Sequence, residues 1–322
     1  MNEIKCTYTS RNIAFIIPTK DRPGKIKNVL DSLMRQTVSC GRIIVVNGGQ
    51  SVKDVVMPFF DILPIEYYEC NPSGQIRQRN MGIALIDKRT PLVGFLDDDI
   101  VLEPQALESI ISFWNKCAPE TAGVSFNIIN TPLGRCSWLE LILGLNAPQK
   151  GRVLRSGMTT SNCQVATDLC SQWLCGGATI WKKNILDMFP HKEISSRWAI
   201  GEDIIFSYPI GKKFPLYVCA ASRVSHEHTM DYVSRMKYRF HGRTQTLWLF
   251  YFVESNRDLS RLLFFWTLFV RIFAKCVMGV IMFKIDYFEF AVGQLEGAVI
   301  GLWSLISGKD ISTILSESKN AK

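Results

Sequence analysis

Leu92-Val93-Gly94-Phe95-Leu96-Asp97-Asp98-Asp99 runs five uncharged, mostly apolar residues straight into three carboxylates. The apolar part predicts a strand buried on both faces, as in a sheet covered by helices. Three adjacent acids repel one another, so a fold keeps them together only beside a cation or strong hydrogen-bond donors. At the C-terminal end of a strand in an α/β sheet they stand where such folds bind ligands. Hard divalent ions such as Mg²⁺ or Mn²⁺ take carboxylate oxygens and are often completed by substrate phosphates. A metal beside a phosphorylated substrate is the chemistry this stretch implies.

Outward from it, short apolar runs alternate with amphipathic stretches over the first two-thirds of the chain, the pattern of an α/β layer fold. Ile13–Ile17 predicts a buried strand stopped by Pro18, and a helix follows from Pro23 with Ile26, Val29, Leu30 and Leu33 on one face. Ile43–Val46 predicts a second strand ending in the turn Asn47-Gly48-Gly49, and Ile65–Tyr68 a third. Gln75–Ile86 predicts a helix, and Leu92–Leu96 is the fourth strand. Pro104 suits the first turn of another helix running to Trp114.

Four further groups carry chemistry. Pro18-Thr19-Lys20-Asp21-Arg22 follows the first strand, and Gln78-Arg79-Asn80 lies on the helix before the acids, where Arg79 offers a forked grip on phosphate or carboxylate. Trp173-Leu174-Cys175-Gly176-Gly177 sets two glycines near an aromatic, suiting close approach of a sugar or acceptor. Gly201-Glu202-Asp203 opens a helix, either as a simple N-terminal charge cap or as a general base. His226-Glu227-His228 holds two of the chain's four histidines, and imidazole is a common metal ligand.

From about Arg243 the character changes. Leu262–Phe283 holds eighteen apolar residues in twenty-two. Its thirteen Leu, Ile, Phe and Val favour insertion by roughly 4–8 kcal/mol, and Arg271 and Lys275 oppose it by about 2.5–3.5 kcal/mol each, so crossing a bilayer is not compelled. Thr267, Arg271, Lys275 and Gly279 form one narrow stripe, while Gly293, Gly297 and Gly301 recur every fourth residue in the next stretch. The spacing predicts an antiparallel helical hairpin turning near Lys284–Asp286, with Arg271 near Glu296 and greasy outer faces, which either lie on a membrane surface or pack as ordinary core helices on the catalytic domain. Arg235, Lys237, Arg239 and Arg243 just upstream suit lipid headgroups or a pyrophosphate-bearing acceptor.

Composition narrows the classes. Lys and Arg outnumber Asp and Glu by 37 to 29, for a net charge of +8, which suits an anionic partner without identifying one. The basic residues form one short cluster without interleaved aromatics, so a nucleic-acid groove is not expected. Forty-seven per cent apolar and 20% charged residues exclude a disordered chain. Met1–Ser10 is polar and lacks a signal core, and the ten cysteines contain no Cys-x-x-Cys pair. Reduced thiols and a cytosolic compartment are therefore expected, with neither a disulfide frame nor a zinc site.

Taken in order, the motifs resemble family 2 glycosyltransferases of the GT-A fold. The residues that carry the likeness are Ile16 to Arg22, Gln78 to Gly82, Phe95 to Asp99, Trp173 to Gly177, Gly201 to Asp203 and Val224 to Thr229. The resemblance implies a Rossmann-like nucleotide-binding mixed sheet flanked by helices over residues 1–245, with 246–322 an apolar helical appendage. It implies inverting transfer of a sugar from a nucleotide-diphosphate donor to an acceptor hydroxyl, with a divalent metal. By that likeness Asp97 and Asp99 are the Asp-x-Asp acids, Asp99 on the metal and Asp97 toward the ribose or the metal shell, with Asp98 between them. His226, rather than His228, is the preferred late metal-shell histidine. Pro18, Thr19, Asp21, Arg79 and Asn80 line the nucleotide, and Trp173, Gly176 and Gly177 the acceptor. Asp203 matches the catalytic base and Glu202 touches the acceptor.

One departure stands out. After the second strand the family commonly carries an acidic pair that reads the base, whereas this chain has Asn47-Gly48-Gly49-Gln50. Asn47 still donates and accepts hydrogen bonds there. The family context implies a lipid-linked glycan or polysaccharide acceptor of the cell envelope at the cytoplasmic face of the plasma membrane, with a purely cytoplasmic location the alternative. A polyprenyl-phosphate acceptor is a second reading, although an ionised phosphate has less need of a base. A non-catalytic nucleotide-sugar-binding module is a third, against which stands the retention of both acids and base.

Overall fold

A computed structural model describes residues 7–132, 134, 136–194, 200–227 and 235–317, with the backbone alone for residues 235–237 and 317. In chain order the elements are β1 (Ile13–Thr19), α1 (Pro23–Met34), β2 (Arg42–Asn47), α2 (Lys53–Val56), β3 (Ile65–Glu69), α3 (Gln75–Ala84) and β4 (Leu92–Leu96). There follow β5 (Ile100–Leu102), α4 (Ala106–Lys116), β6 (Gly123–Ile128), α5 (Trp138–Ile142), β7 (Leu169–Ser171), β8 (Ala178–Lys182), α6 (Lys183–Met188), α7 (Glu202–Gly211) and β9 (Leu216–His226). Four helices close the order: α8 (Arg235–Glu254), α9 (Arg261–Met282), α10 (Ile285–Ser307) and α11 (Ile311–Glu317). The chain divides into two compact units, one of residues 1–133, 161–193 and 206–228, the other of 134–160, 194–205 and 229–322.

The first unit is built on one mixed sheet, in the order β3-β2-β1-β4-β8-β6-β9-β5 with β7 paired to β9. β3, β2, β1 and β4 run parallel, and β8 joins β4 antiparallel. A curled mixed sheet with flanking helices is the GT-A arrangement expected from the motifs. The uninterrupted apolar runs have a simple cause. Ile13, Phe15 and Ile17 of β1 enter one core with Val29 and Leu30 of α1 and Leu107 and Ile110 of α4. Ala14 and Ile16 enter the other core, on the opposite face, with Ile185 and Leu186 of α6. A strand buried on both sides has no polar face to show, and each such side chain contributes about 1.5–3 kcal/mol by leaving water.

Parallel pairing brings the ends of β1, β2 and β4 to one edge of the sheet. Gln78 on α3 ties two of those ends together, its Nε2 donating to Thr19 O at 2.8 Å and to Val46 O at 2.6 Å, at a site that is 3% exposed. The helix predicted over Gln75–Ile86 thus has an interior polar member that works as a strand clamp. α4 begins at Ala106, two residues after the expected Pro104.

In the second unit α9 and α10 form the expected hairpin. Ser260 caps α9, its side chain accepting from Leu263 N, and Phe283 turns the chain with a φ of 50°. Phe288 packs against Gly279, and Lys275 Nζ sits 5.0 Å from the Tyr287 ring centroid. Two expectations about this hairpin are corrected. The glycine row of α10 lies against α8, not α9: a Cβ at Gly293 or Gly297 would run into the Arg239 or Arg243 backbone, and one at Gly301 would crowd Phe250. Arg271 does not meet Glu296. Its Nη2 donates to Gln245 Oε1 at 2.8 Å, while Glu296 accepts from Arg239 Nε at 2.8 Å. Both charged residues turn toward α8 because that helix supplies the polar partners. By length and composition α9 and α10 are each sufficient to cross a membrane.

Replacing Gln78 by Leu removes the side-chain donor to the Val46 and Thr19 carbonyls, of which Thr19 O keeps Gly48 N at 2.9 Å, a loss of about 1–3 kcal/mol. Urea denaturation is expected to show a lower midpoint with an unchanged slope.

Candidate active site

Each carboxylate of the acid row has its own donors. Asp97 Oδ1 accepts from Arg79 Nη2 at 2.7 Å and from Gln75 Nε2 at 3.0 Å. Asp98 Oδ2 accepts from Thr19 Oγ1 at 2.8 Å and its Oδ1 from Arg22 Nη1 at 3.1 Å. The same Arg22 nitrogen reaches Asp99 Oδ2 at 3.4 Å, and His226 Nε2 lies 3.0 Å from Asp99 Oδ1. The repulsion inherent in three adjacent acids is thus offset by two guanidiniums and an imidazole. Arg79 is almost fully buried and Arg22 is 45% exposed at its side chain, so one cation is fixed and the other faces solvent. Burial pushes the Asp98 carboxyl above its ordinary value, against the pull of Thr19 and Arg22.

The local fold explains His226. β9 shifts register against β6 between Phe126 and Asn127, and its far end pairs antiparallel with β5, Ile100 opposite His226. Asp99 precedes Ile100, so that pairing delivers the imidazole to the end of the acid row. Burial disfavours a charged imidazole here, but the hydrogen bond to Asp99 and the charges of Asp99 and Asp97 outweigh it and raise the pKa. Glu227 anchors the segment: its backbone N donates to Asp99 O at 2.8 Å, and its carboxylate accepts from Lys25 Nζ at 3.0 Å and Asn28 Nδ2 at 3.1 Å. Those donors hold the Glu227 carboxyl below the usual range. His228 lies outside the described residues, as do the side chains of Arg235 and Lys237.

Asp99 Oδ1 and His226 Nε2 are a hard oxygen and an imidazole nitrogen at 3.0 Å, a pair that Mn²⁺ or Mg²⁺ chemistry accepts once the proton between them is lost. Among the described residues no group of three or more His, Cys, Asp or Glu side chains forms a ready-made cage. The residues fit an ion completed by substrate phosphates and water, and not an all-protein site.

Not every expected nucleotide contact joins this set. Asn47 spends its amide on its own turn, Nδ2 donating to Gly49 O and Gln50 O, both at 3.1 Å. Asn80 Nδ2 donates to His191 O at 3.0 Å. Asp21 adopts a φ of 54°, which aspartate tolerates, and its Oδ1 accepts from Gln50 N at 2.7 Å, tying the loop after β1 to the loop after β2. Pro18 is buried within β1, opposite Val46.

On the expected acceptor side, Gly177 O accepts from Asp97 N at 2.8 Å, and a Cβ at Gly177 would run into the Asp97 carboxylate. Glycine is required there by contact. Gly176 O accepts from Thr179 Oγ1 at 3.4 Å, and the Trp173 carbonyl is held by Ser171 Oγ at 2.6 Å and Asn162 Nδ2 at 3.0 Å. Glu202 and Asp203 stand in the first turn of α7, in the stretch counted with the second unit. The described cysteines are free thiols.

Sequence reasoning missed several members. Gln75 lies one helical turn before Arg79 on α3, so the i, i+4 rule would have found it. Arg22, at the end of the first motif, shows its role only through its contacts with Asp98 and Asp99. His191 left no signal: it stacks on Phe206 with ring centroids 3.5 Å apart, meets Phe95 edge-on at 5.4 Å, and burial with the nearby Arg79 charge drives its pKa down to about 3.

A mixed sheet whose parallel strands end in carboxylates set among basic side chains is the architecture of GT-A sugar transferases. Residues 14–171 match the model of glycosyl transferase family 2, and the chain carries a family 2 glycosyltransferase domain. Transferases of this family take nucleotide-sugar donors and glycan acceptors in general. The match ends before Trp173, so Gly176, Gly177, Glu202, Asp203 and His226 lie beyond it. No curated protein matches the chain.

Gly177→Ala is expected to push the Asp97 carboxylate away from the backbone and to lower stability by about 1–3 kcal/mol, read as a lower midpoint in urea denaturation. His191 makes a separate prediction. Its folded pKa is depressed to about 3 from 6.5, so its contribution is complete above pH 6.5 and is lost as pH falls toward 3. The slope is up to about 1.4 kcal/mol per pH unit. His191→Phe, which keeps an aromatic ring against Phe206, should narrow the gap between melting temperatures at pH 7.5 and pH 4.5; an unchanged gap would assign the acid sensitivity elsewhere.

Proposed function

We propose that the protein is a metal-dependent, inverting glycosyltransferase that moves a sugar from a nucleotide-diphosphate donor to a hydroxyl of a lipid-linked glycan or polysaccharide at the cytoplasmic membrane face. The observation that carries the reading is the Asp99–His226 pair, joined by β5–β9 pairing at the end of a row of acids that Arg22 and Arg79 neutralise.

In this reading Asp99 and His226 hold the cation, and Thr19, Asp21, Arg79 and Asp97 border the nucleotide. When bound, the ion supplies positive charge beside the diphosphate as it departs. The acceptor hydroxyl oxygen attacks the anomeric carbon from the side opposite the diphosphate, the bond to the diphosphate oxygen breaks, and Asp203 takes the hydroxyl proton. Glu202 orients the acceptor. Arg79 is already fixed in position, so its charge costs no reorganisation during the reaction. In this reading Trp173, Gly176 and Gly177 border the acceptor, and the bare Gly177 backbone lets the Asp97 carboxylate close against it. Residues 1–245 serve as the catalytic domain and 246–322 as the part that meets the membrane surface. Support for the latter comes from the exposed Phe269, Phe273, Val280, Leu295 and Val299 on α9 and α10.

A panel of nucleotide sugars with Mn²⁺ present and removed is the decisive assay, reading nucleoside-diphosphate release. Release should require the metal and vanish in Asp99→Ala. Metal-independent release equal in Asp99→Ala and wild type would refute the assignment. Asp203→Asn is expected to lower kcat by about 10²–10⁴-fold with little change in donor binding, the size of a lost general base. Full turnover in that variant would mean another group takes the proton.

A further inference from the structure

The sequence drew attention to α9 and α10, but a third element shares their character. α5 is a short, well-defined helix: Ser137 accepts from Leu139 N at 3.2 Å, and Glu140 reaches back to Ser137 N at 3.0 Å, a capping box. None of its residues is buried. Trp138 and Ile142 are 67% and 73% exposed, and Leu139 and Leu141 are exposed beside them. Four large apolar side chains on five helical residues, all facing outward, are not explained by packing within the chain.

α5 is fastened to the start of α9. Trp266 Nε1 donates to Leu143 O at 3.1 Å, just past the end of α5, and Ser260 N donates to Arg155 O at 2.7 Å. Along α9, Leu262, Trp266, Phe269 and Phe273 are exposed at helical spacing, and along α10 so are Val292, Leu295, Val299, Leu302 and Ile306. No charge interrupts either row. Arg271 and Glu296 bond to Gln245 and Arg239 on α8, and Lys275 lies over the Tyr287 and Phe290 rings. Beside the junction of α5 and α9, Arg152, Arg155 and Arg257 are exposed.

This chemistry selects an occupant. A protein partner's interface carries about one hydrogen bond per 100–200 Å², and these rows offer scarcely a polar side chain beyond the tryptophan indoles. Lipid asks for the opposite: an uninterrupted apolar face, tryptophans whose N–H groups sit at the headgroup level, and arginines at the margin to meet anionic phosphates. We propose that α5 is a second lipid-contacting element, inserted by Trp138 and Ile142 into the interfacial layer of an anionic bilayer beside the α9–α10 face, with Arg155 and Arg257 giving the preference for anionic headgroups. The inference rests on the membrane-surface reading above and adds an anchor that the apolar C-terminal helices do not contain.

The test uses the full-length protein and sedimentation with phosphatidylcholine vesicles, with and without phosphatidylglycerol. Wild type should bind the phosphatidylglycerol vesicles more tightly. Trp138→Ser with Ile142→Ser should weaken binding at least about tenfold, the loss of two buried apolar side chains, with an unchanged melting temperature because neither is packed in the fold. Arg155→Gln with Arg257→Gln should lower binding to phosphatidylglycerol vesicles and leave phosphatidylcholine alone unaffected. Equal binding by the α5 variant and wild type, while Phe269→Ser with Phe273→Ser is released, overturns the role of α5 and leaves the membrane reading standing. No binding by wild type overturns both. A detergent-free dimer by light scattering that becomes a monomer in the α5 variant means a second copy covers the face, and that also overturns the proposal.

Discussion

The acid row at the end of β4 governs the arrangement around it. Three neighbouring carboxylates are unstable company, and each surrounding element answers one of them. α3 brings Arg79 and Gln75 to Asp97, the end of β1 and the loop after it bring Thr19 and Arg22 to Asp98, and β9 brings His226 to Asp99. The sheet edge is therefore a charge-balanced set, in which removing any one cation leaves an acid facing its neighbours. The two arginines differ in a way that matters for chemistry. Buried Arg79 is part of the scaffold, whereas half-exposed Arg22 spans two carboxylates and meets solvent, where an arriving diphosphate and its ion would compete for the same oxygens.

The helical unit rests on a different constraint. Its long helices carry charges that an apolar surrounding takes up only at high cost, and the packing pairs Arg271 and Glu296 with Gln245 and Arg239 on α8. Glycines every fourth residue on α10 let α8 approach closely enough to do so. Sorting polar contacts inward is what leaves the outer rows of α9 and α10 unbroken. The unit keeps a buried apolar core of Leu247, Trp248, Phe250, Phe264 and Leu268, and carries an apolar outer face on α9 and α10 in addition.

Much of the first unit was legible in the chain. The apolar runs at 13–17, 43–46, 65–68 and 92–96 became β1 to β4 with ends within two residues, because a strand buried on both faces leaves an unmistakable run. The acids, Arg79 and His226 were legible as chemistry. What escaped was the use of each amide: Asn47 and Asn80 look like ligand contacts by position, yet both satisfy backbone groups, because a polar side chain in a closed space bonds whatever donor or acceptor lies nearest. The α9–α10 charge pair failed for a related reason. Helical spacing says which residues share a face, but it does not say which neighbour that face meets.

Local composition by itself determined the layered α/β character, the acid row on a buried strand and the apolar tail, because hydrophobic period and charge adjacency are properties of consecutive residues. Tertiary structure alone decided that His226 meets Asp99, that Gly177 must lack a side chain, that α8 and not α9 receives the glycine row, and that α5 faces outward. Each of those depends on contacts between segments tens to more than a hundred residues apart, and strand register and helix packing fix such contacts only when the whole sheet and bundle have closed.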